Sequence, residues 1–463
     1  MFIDAMKSAP PFRSAEKPWV GEVPLDAHGW PTADAGVVAF SDVANVNGTY
    51  RFSCAGRATV TVVRSPAEIR DLTYDAAADR TTCDIVFAAP ADEVTHLFLA
   101  FTETTGGVRE VKLLRPGYAD DAQVFTNEYL RAVAPFGCLR FMDFLATNDS
   151  TLTKWSDRPT PQDASCATRG GPYEYAIELG NRARKDVWLN IPAGADDEFV
   201  RELARLAKSN LAADLHCYVE WSNELWNSGF AQHKLNLDAA KGDASLGGPD
   251  TNARRLAWRR TARRTIEISR IFQDVFGGRN PRVRVVLAGQ HANPDVLETG
   301  LKYIETNAGP PGNFLYGIAI APYFGNGDKA LLQRPDIAVD DVCAVLLREA
   351  DESADARAKR SHELARKYGL KSLAYEGGID LGQHDVAVET KSRAQLDPRA
   401  GRAIESHLRA WFDGGGDEYV YYTLVARSTK HGYWGLTEDV RHLDVPKFQA
   451  AARIARDLPT PPP

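Results

Sequence analysis

The sequence predicts an α/β protein built on a (β/α)8 TIM barrel, with a small antiparallel β-sandwich domain inserted after the first barrel strand. From about residue 120 onward, apolar β-prone runs alternate with amphipathic helical patterns. Repetition of this kind implies a parallel sheet, and eight strand–helix units imply a closed barrel. Residues 36–115 differ, because short β-prone runs recur there between turn residues. Evenly spaced short strands are typical of an antiparallel sandwich.

The predicted β-domain rests on five runs rich in β-branched and aromatic residues. At about 80 residues it lies in the size range of a minimal domain. The runs are Tyr50–Phe52, Ala58–Val63, Asp84–Phe87, Leu97–Phe101 and Val108–Leu114.

Seven barrel strands are predicted after residue 120, and an eighth, first in the chain, at Phe2–Asp4. The seven are 138–143, 186–191, 214–223, 284–289, 315–321, 371–375 and 418–424. Between them, Asp196-Asp197 begin one helix, and Gly277-Gly278 end another. The predicted organisation is a first strand and linking segment (1–35), the β-domain (36–115), the barrel (116–456) and a proline-rich tail (457–463).

Composition and net charge argue against some classes of function. The 463 residues are 44% hydrophobic and 25% charged, which is ordinary for a globular protein. We expect no membrane span, because no apolar run is long enough, and no nucleic-acid partner, because the net charge is −7. The start of the chain lacks a secretory pattern, so we expect a cytosolic protein or a mature domain whose signal was removed; in the second case secretion or a periplasmic location is favoured.

Two other patterns have open meanings. Six cysteines are scattered without a Cys-x-x-Cys pair, and spacing alone does not decide whether Cys54 and Cys83 form a disulfide. Arginine pairs near helical spacing form a basic stripe that could contact an anionic polysaccharide, although a solvated helix face is the commoner meaning. No metal-binding, phosphate-binding or dinucleotide motif is present, so no cofactor and no metal are expected. The arginine pairs are Arg254-Arg255, Arg259-Arg260 and Arg263-Arg264.

Two β-prone runs stop abruptly at a glutamate, Glu224 within 218–226 and Glu376 within 373–378. Active residues of such barrels lie at the carboxyl ends of strands. Two carboxyl groups on either side of one bond are the reactive groups of glycoside hydrolysis. The alternative is that Glu224 caps a helix start and Glu376 lies in a turn. The Gly377-Gly378 step, which lets a substrate approach the backbone, favours the catalytic interpretation.

The residues around these glutamates resemble a known family. Asn223-Glu224, preceded by Glu220, resembles the Asn-Glu signature that ends strand four in glycoside hydrolase clan A. The run 374–376 resembles the strand-seven nucleophile of that clan. The resemblance covers roughly residues 120–456. It implies that Glu224 is the acid/base, Glu376 the nucleophile and Asn223 a partner of the sugar 2-hydroxyl.

Further candidates follow from strand parity and from the resemblance. Glu220 should point into the barrel and need a partner, for which Arg140 on the second strand is the natural candidate. An arginine near this place also contacts the nucleophile in the clan, so both roles are open for Arg140. Tyr323 resembles the clan's tyrosine that hydrogen-bonds the nucleophile, and the alternative is a core aromatic.

Sugar contacts are expected from polar and aromatic residues beyond strand ends. Asn190 and His291 end strands three and five, although a structural role suits His291 equally well. Trp155, Trp226 and Trp434 fall in predicted loops, where they could stack on sugar rings. The eighth strand lacks the terminal tryptophan usual in the clan, so the aromatic floor of the central subsite stays open.

The sequence therefore predicts a retaining glycoside hydrolase that cleaves β-glycosidic bonds in a polysaccharide or oligosaccharide by double displacement. The alternative is a non-catalytic carbohydrate-binding protein on a barrel scaffold, since fold does not guarantee activity. A weaker alternative is an adhesive exopolysaccharide partner whose β-domain carries the function.

Overall fold

The computed structural model describes residues 1–91, 93–247, 252–351 and 356–458. The last residues of the predicted tail, 459–463, lie outside the described residues. The chain divides into two compact units. Unit 1 comprises Met1–Asn127, Phe144–Ala146 and Arg158–Tyr175, and unit 2 comprises Glu128–Asp143, Thr147–Asp157 and Ala176–Pro463.

Unit 1 contains two antiparallel sheets over one apolar core. Its strands are β1 (Ala35–Val43), β2 (Gly48–Ala55), β3 (Thr59–Val62), β4 (Ala67–Asp75), β5 (Arg80–Phe87), β6 (Thr95–Thr102) and β7 (Arg109–Leu114). They are ordered β1-β6-β3 in one sheet and β4-β5-β2-β7 in the other. Apolar side chains of both sheets share the core, where the rings of Phe52 and Phe101 stack with centroids 5.5 Å apart. This arrangement agrees with the antiparallel β-domain predicted for this region.

The predicted first barrel strand, Phe2–Asp4, is wrong. Phe2 and Asp4 make isolated antiparallel bridges to Phe125 and Leu114, all within unit 1. The ring of Phe2 stacks on that of Phe125, with centroids 5.8 Å apart. The Asp4 carboxylate accepts a hydrogen bond from the backbone N–H of Leu113 at 2.9 Å. Aromatic packing and this carboxylate contact therefore hold the segment within unit 1.

Unit 2 contains a parallel sheet of seven strands, as predicted after residue 120. They are β8 (Cys138–Arg140), β9 (Asp186–Ile191), β10 (Cys217–Trp221), β11 (Val283–Ala288), β12 (Gly317–Ile320), β14 (Lys371–Ala374) and β16 (Glu418–Tyr419), beside the short strands β13 (Tyr323–Phe324) and β15 (Gly378–Ile379). The seven strands lie side by side in sequence order, which fits a TIM-barrel-like α/β fold. Among the described residues no ladder joins β8 to β16, where the eighth strand was expected.

Helices separate these strands, with ends that follow the predicted signals. The Asp196 side chain caps its helix by accepting from the N–H of Phe199, and Gly277 ends the longest one at a φ of 83°. None of the described helices is long and apolar enough to cross a bilayer. The helices are α1 (Asn127–Val133), α2 (Tyr173–Ala183), α3 (Asp197–Asn210), α4 (Ala231–Lys241), α5 (Ala253–Phe276), α6 (Asp295–Ala308), α7 (Lys329–Leu332), α8 (Val339–Asp351), α9 (Ala356–Lys367), α10 (Val388–Gln395), α11 (Pro398–Asp413) and α12 (Pro446–Asp457).

Strand β10 is shorter than the predicted 214–223, and its end places Glu224. Ser222 and Glu224 have positive φ angles of 61° and 43°. Side-chain-bearing residues rarely adopt this conformation, so the ladder stops at Trp221. The Asn223-Glu224 pair therefore lies on a turn just beyond the carboxyl end of the strand.

The cysteines and the basic stripe are both explained by packing. All six thiols are free, and burial raises the pKa of Cys54 to about 11 and that of Cys83 to about 12. On α5, the Arg260 guanidinium lies 5.3 Å from the ring centroid of Trp221 and donates to Asn236. Much of the stripe therefore packs against neighbouring segments of unit 2 instead of forming a uniform solvated face.

Shortening a buried side chain on β6, the central strand of the three-stranded sheet, should destabilise the protein. Leu99 on β6 is fully buried, so Leu99→Ala should lower the free energy of unfolding by about 2–5 kcal/mol through lost burial and a cavity. Leu72→Ala removes the same atoms from a side chain that is 41% exposed, and should change it by less than about 0.5 kcal/mol. Urea unfolding of both variants measures the difference, and equal effects would contradict this core.

Candidate active site

The Glu224 carboxyl group is held from two sides. Its Oε1 accepts a hydrogen bond from the Tyr375 hydroxyl at 3.0 Å, and its Oε2 accepts one from the Asn227 side-chain amide at 2.7 Å. Tyr375 has no exposed surface, whereas Glu224 is half-buried. The carboxyl group therefore has a fixed orientation and keeps access to solvent.

Glu376 lies beyond the carboxyl end of β14 and is 7% exposed. Its Oε2 accepts a hydrogen bond from the Arg140 guanidinium at 3.1 Å. Tyr375, which precedes Glu376, hydrogen-bonds Glu224, and the charge of Glu224 raises the pKa of Glu376, so the two carboxyl groups lie near each other. We call Glu224 and Glu376 the carboxylate pair.

Arg140, the last residue of β8, contacts both Glu376 and the buried polar side chains near the end of β10. Its guanidinium donates to Glu376, to Glu220 Oε2 at 2.9 and 3.0 Å, and to Asn223 Oδ1 at 2.8 Å. Its side chain is only 3% exposed. Both roles left open by the sequence are thus present, because Arg140 pairs with Glu220 and also contacts Glu376.

Glu220 orients Arg140 through one of its carboxylate oxygens. One oxygen, Oε2, accepts from Arg140, from the indole N–H of Trp188 at 2.8 Å and from the Asn190 amide at 3.0 Å. Glu220 and Trp188 are almost fully buried. The prediction that Glu220 points inward and needs a partner is confirmed, and the charge is stabilised by several donors at once.

A chain of amides holds Asn223. Its side-chain N–H donates to Asn148 Oδ1 at 3.1 Å, and Gln232 donates to the same oxygen at 2.8 Å and to the backbone carbonyl of Asn223 at 3.0 Å. Asn223 is 2% exposed. The side-chain amide orientation is therefore determined on both sides, by Arg140 and by Asn148.

Electrostatics favours retention of a proton on the carboxylate pair. Burial raises the pKa of Glu376 to about 7, Arg140 opposes this effect, and the negative charges of Glu224 and Glu220 add to it. Burial also raises the pKa of Glu224, against the hydrogen bonds from Asn227 and Tyr375. Two close carboxyl groups with raised pKa values titrate as a unit that holds one proton over an intermediate pH range.

The donors to the two carboxyl groups differ in charge. In the described part of the chain, Arg140 donates to Glu376 and not to Glu224. A direct guanidinium contact stabilises the negative form of the carboxyl group that receives it. This contact works against burial, which raises the pKa of Glu376 to about 7, while the two neutral donors to Glu224 also favour its charged form. Attack by Glu376 would require the shared proton to lie on Glu224.

Tyr323, on β13, lies beside the pair. The Tyr323 hydroxyl lowers the pKa of Glu376, and burial followed by the charge of Glu376 raises the pKa of Tyr323 itself. The hydrogen bond from Tyr323 to Glu376 that the resemblance implied stays a prediction.

The two polar residues predicted at strand ends occupy different settings. Asn190 has no exposed surface, and its amide donates to Glu220 and to the backbone carbonyl of Ser222 at 2.8 Å. His291 is half-buried in the turn after β11. Contact of either residue with a sugar stays a prediction, and the visible role of Asn190 is to orient Glu220.

The three predicted tryptophans are spread over unit 2. Trp155 packs edge-on against Phe199 with centroids 5.1 Å apart, and Trp226 is half-buried just after Glu224. Trp434 packs edge-on against Tyr422 at 5.6 Å. Of the three, Trp434 has a traceable connection to the pair, because the negative charge of Glu376 is among the causes, after burial and Asp143, that raise the pKa of Tyr422.

Several residues of the site were not predicted. Asn227 follows Glu224 by three residues, a spacing that could have suggested a contact in a tight turn. Tyr375 stood within the 374–376 motif, but its hydroxyl contact with Glu224 depends on the fold. Asn148, Gln232 and Tyr422 carry no local sequence signal, because they reach the site from segments far apart in the chain.

Comparison with known proteins finds solved structures that are similar to this chain in fold alone. The chain matches no protein-family model and no curated protein. Among solved structures, it is similar to a family 51 arabinofuranosidase from Xanthomonas axonopodis pv. citri, at 11% identity and a TM-score of 0.42, over 72% of this chain and 66% of that one. It is also similar to the CBM22–GH10 modules of an endo-1,4-β-D-xylanase from Clostridium thermocellum, at 10% identity and a TM-score of 0.38, over 98% and 97% of the two chains. These two belong to glycoside hydrolase clan A, the group whose motifs this sequence resembles. At these TM-scores, an activity has to be assigned from the site itself.

Removing one carboxyl group should simplify the titration of the other. In Glu224→Gln, the negative charge that raises the pKa of Glu376 is absent, so the remaining group should titrate in one step below the upper step of the wild-type pair. Carbon-13 NMR of protein labelled at the glutamate carboxyl carbon measures both titrations. Glu363→Gln, at an exposed position on α9, is the control and should keep two steps. An unchanged upper step in Glu224→Gln would contradict the coupling.

Proposed function

We propose that this protein is a retaining glycoside hydrolase that cleaves β-glycosidic bonds in a polysaccharide or oligosaccharide. The observation that carries the proposal is the asymmetry of the carboxylate pair. Glu376 receives a guanidinium contact, whereas Glu224 is held by a neutral hydroxyl and a neutral amide. Retaining hydrolysis requires this division between a charged nucleophile and a protonated acid.

In the first step, a carboxylate oxygen of Glu376 attacks the anomeric carbon of the sugar. The bond from that carbon to the leaving oxygen breaks, and the proton of Glu224 passes to the leaving oxygen. The products of this step are the leaving part of the substrate, which now ends in a hydroxyl group, and a glycosyl ester on Glu376. The proton donated by Glu224 balances the electron pair that leaves with the oxygen.

The second step reverses the roles. Glu224, now a carboxylate, takes a proton from water, the water oxygen attacks the anomeric carbon, and the ester bond to Glu376 breaks. The charges of the two glutamates disfavour each other, as the effect of Glu224 on the pKa of Glu376 indicates, and esterification removes the charge of Glu376. Glu224 therefore has a lower pKa in the intermediate than in the resting enzyme, as a base requires.

The surrounding residues give each group its position. Arg140 favours the carboxylate form of Glu376, both before attack and when that carboxylate departs. Tyr375 orients Glu224, and Arg140 and Asn148 orient the Asn223 amide. In the proposed mechanism Glu224 faces the reacting bond and this amide binds the hydroxyl beside the anomeric carbon. Preorganised groups of this kind need no rearrangement during the reaction.

The two glutamates should fail in different ways when changed to glutamine. Glu376→Gln should lower kcat on the order of 10⁴-fold or more for both polysaccharides and dinitrophenyl β-glycosides, because the nucleophile is lost. Glu224→Gln should lose polysaccharide hydrolysis yet release a burst of dinitrophenolate, because this leaving group needs no proton and only the second step lacks its base.

Reducing-sugar release from xylan, mannan, cellulose and β-1,3-glucan, and burst kinetics on dinitrophenyl β-xyloside, β-mannoside and β-glucoside, measure these effects. Glu363→Gln on exposed α9 is the matched control and should behave as wild type. Near-wild-type turnover by Glu376→Gln would overturn the mechanism. Binding of a polysaccharide by the wild type without release of sugar would instead support the non-catalytic alternative.

A further inference from the structure

We infer that a second sugar-binding pocket flanks the carboxylate pair, and that the substrate is a chain of neutral sugars with at least one ring bound there. This inference rests on the proposed function and names a substrate class for the same site. The flanking pocket has a volume of about 410 Å³. Its walls include Asn326, Gln333, Asp380, Gln383, His384 and Trp434.

Two short strands lead from the pair to this pocket. On β13 and β15, Tyr323 pairs with Gly378, and the chain continues to Asn326 on one side and Asp380 on the other. Asp380 follows Glu376 by only four residues in the sequence. An extended chain spans at most about 3.6 Å per residue, so the wall begins within about 14 Å of Glu376. One substrate molecule can therefore reach both places.

Tyr422 connects the two places on the other side. Its hydroxyl donates to Asp143 at 2.8 Å, and its ring packs edge-on against Trp434. Trp434 in turn lines the flanking pocket. Tyr422 thus supports the ring of Trp434, the aromatic side chain that lines the flanking pocket.

The Trp434 ring is held in place by its own segment. Its backbone carbonyl accepts from the N–H of Thr423 at 3.2 Å, and the preceding carbonyl, of Tyr433, accepts from buried Lys447 at 2.9 Å. A Cβ on Gly432 would lie 2.3 Å from Cζ3 of Trp434, so only glycine leaves room for the ring there. A fixed aromatic platform costs less conformational entropy on binding than a mobile one.

The polar wall offers hydrogen-bonding groups for hydroxyls. Asn326 Oδ1 is buried without a hydrogen-bond partner, while its amide nitrogen lies 3.5 Å from Asp380 Oδ2. Gln333 and His384 form a second pair, with their Nε2 atoms 3.2 Å apart. An unpartnered buried amide oxygen costs free energy that a donated sugar hydroxyl would recover.

Hydrogen bonds to α8 also support this wall. The Glu349 carboxylate on α8 accepts hydrogen bonds from the backbone N–H of Gly325 at 2.8 Å and from that of Gly327 at 3.1 Å. These bonds hold the loop that carries Asn326 in one conformation. The pocket is therefore formed before a ligand arrives, as in most small-molecule sites.

Charge indicates the kind of sugar. The pocket lining has one lysine, Lys329, and one carboxylate, Asp380, beside three amides. Opposite charges balance, and the amides and the aromatic ring favour uncharged hydroxyl-bearing rings. A uronic acid would need a surplus of cationic groups. The flanking pocket therefore fits a neutral sugar unit.

The test compares substrates that fill one site or both. For wild type, Trp434→Ala and Asn326→Ala, kcat/KM is measured on a dinitrophenyl β-monoglycoside and on two- to six-ring oligosaccharides of the polysaccharide that the wild type hydrolyses. In both variants the ratio of longest to shortest substrate should fall about ten-fold, the effect of losing one aromatic or hydrogen-bond contact. Trp19→Ala, which removes a tryptophan that is 41% exposed in unit 1, is the matched control and should keep the wild-type ratio.

The outcomes separate the two levels of the proposal. Hydrolysis with an unchanged ratio in both folded variants overturns the flanking pocket and leaves the proposed function standing. Preference of the wild type for uronic-acid oligomers over neutral ones overturns the assignment of a neutral sugar. Absence of hydrolysis by the wild type on every substrate removes the proposed function, and this inference with it.

Discussion

The site depends on one buried guanidinium shared among three acceptors. Arg140 donates to Glu220, Asn223 and Glu376 from a position with almost no solvent exposure. A buried ion pair of this kind contributes little net stability, because desolvation offsets the attraction, yet losing one partner costs about 3–5 kcal/mol. Such a contact is therefore better understood as a means of holding carboxyl groups in a fixed place and charge state.

That arrangement determines how many protons the carboxyl groups of the site hold. One positive charge faces three carboxyl groups, those of Glu220, Glu224 and Glu376, so full ionisation would leave an excess of buried negative charge. One oxygen of Glu220 accepts several hydrogen bonds, and Glu376 contacts the guanidinium directly. In the proposed mechanism the shared proton lies on Glu224, so that Glu376 is free to attack. The same charges explain how loss of the Glu376 charge in a covalent intermediate would release Glu224 to act as a base.

Much of this could be predicted from the sequence, for physical reasons. Strands of a parallel sheet are buried on both faces and appear as apolar runs, which is why the seven strands of unit 2 were predicted. Glu220 and Arg140 were matched by strand parity and the need of a buried charge for a partner. Phe2–Asp4 was placed wrongly because three residues carry no periodic signal, and contacts with Phe125 and Leu113 decide their position. The Asn148–Asn223 contact and the Tyr422–Trp434 packing join distant segments, so no local pattern could reveal them.

The stereochemistry of the first product tests the central claim most directly. Proton NMR recorded during the first minutes of hydrolysis, before the new reducing end equilibrates in solution, reports the configuration of its anomeric carbon. If Glu376 attacks and Glu224 then activates water, two displacements return the original configuration, and the β-anomer should accumulate first. First appearance of the α-anomer would mean a single displacement by water and would contradict the account.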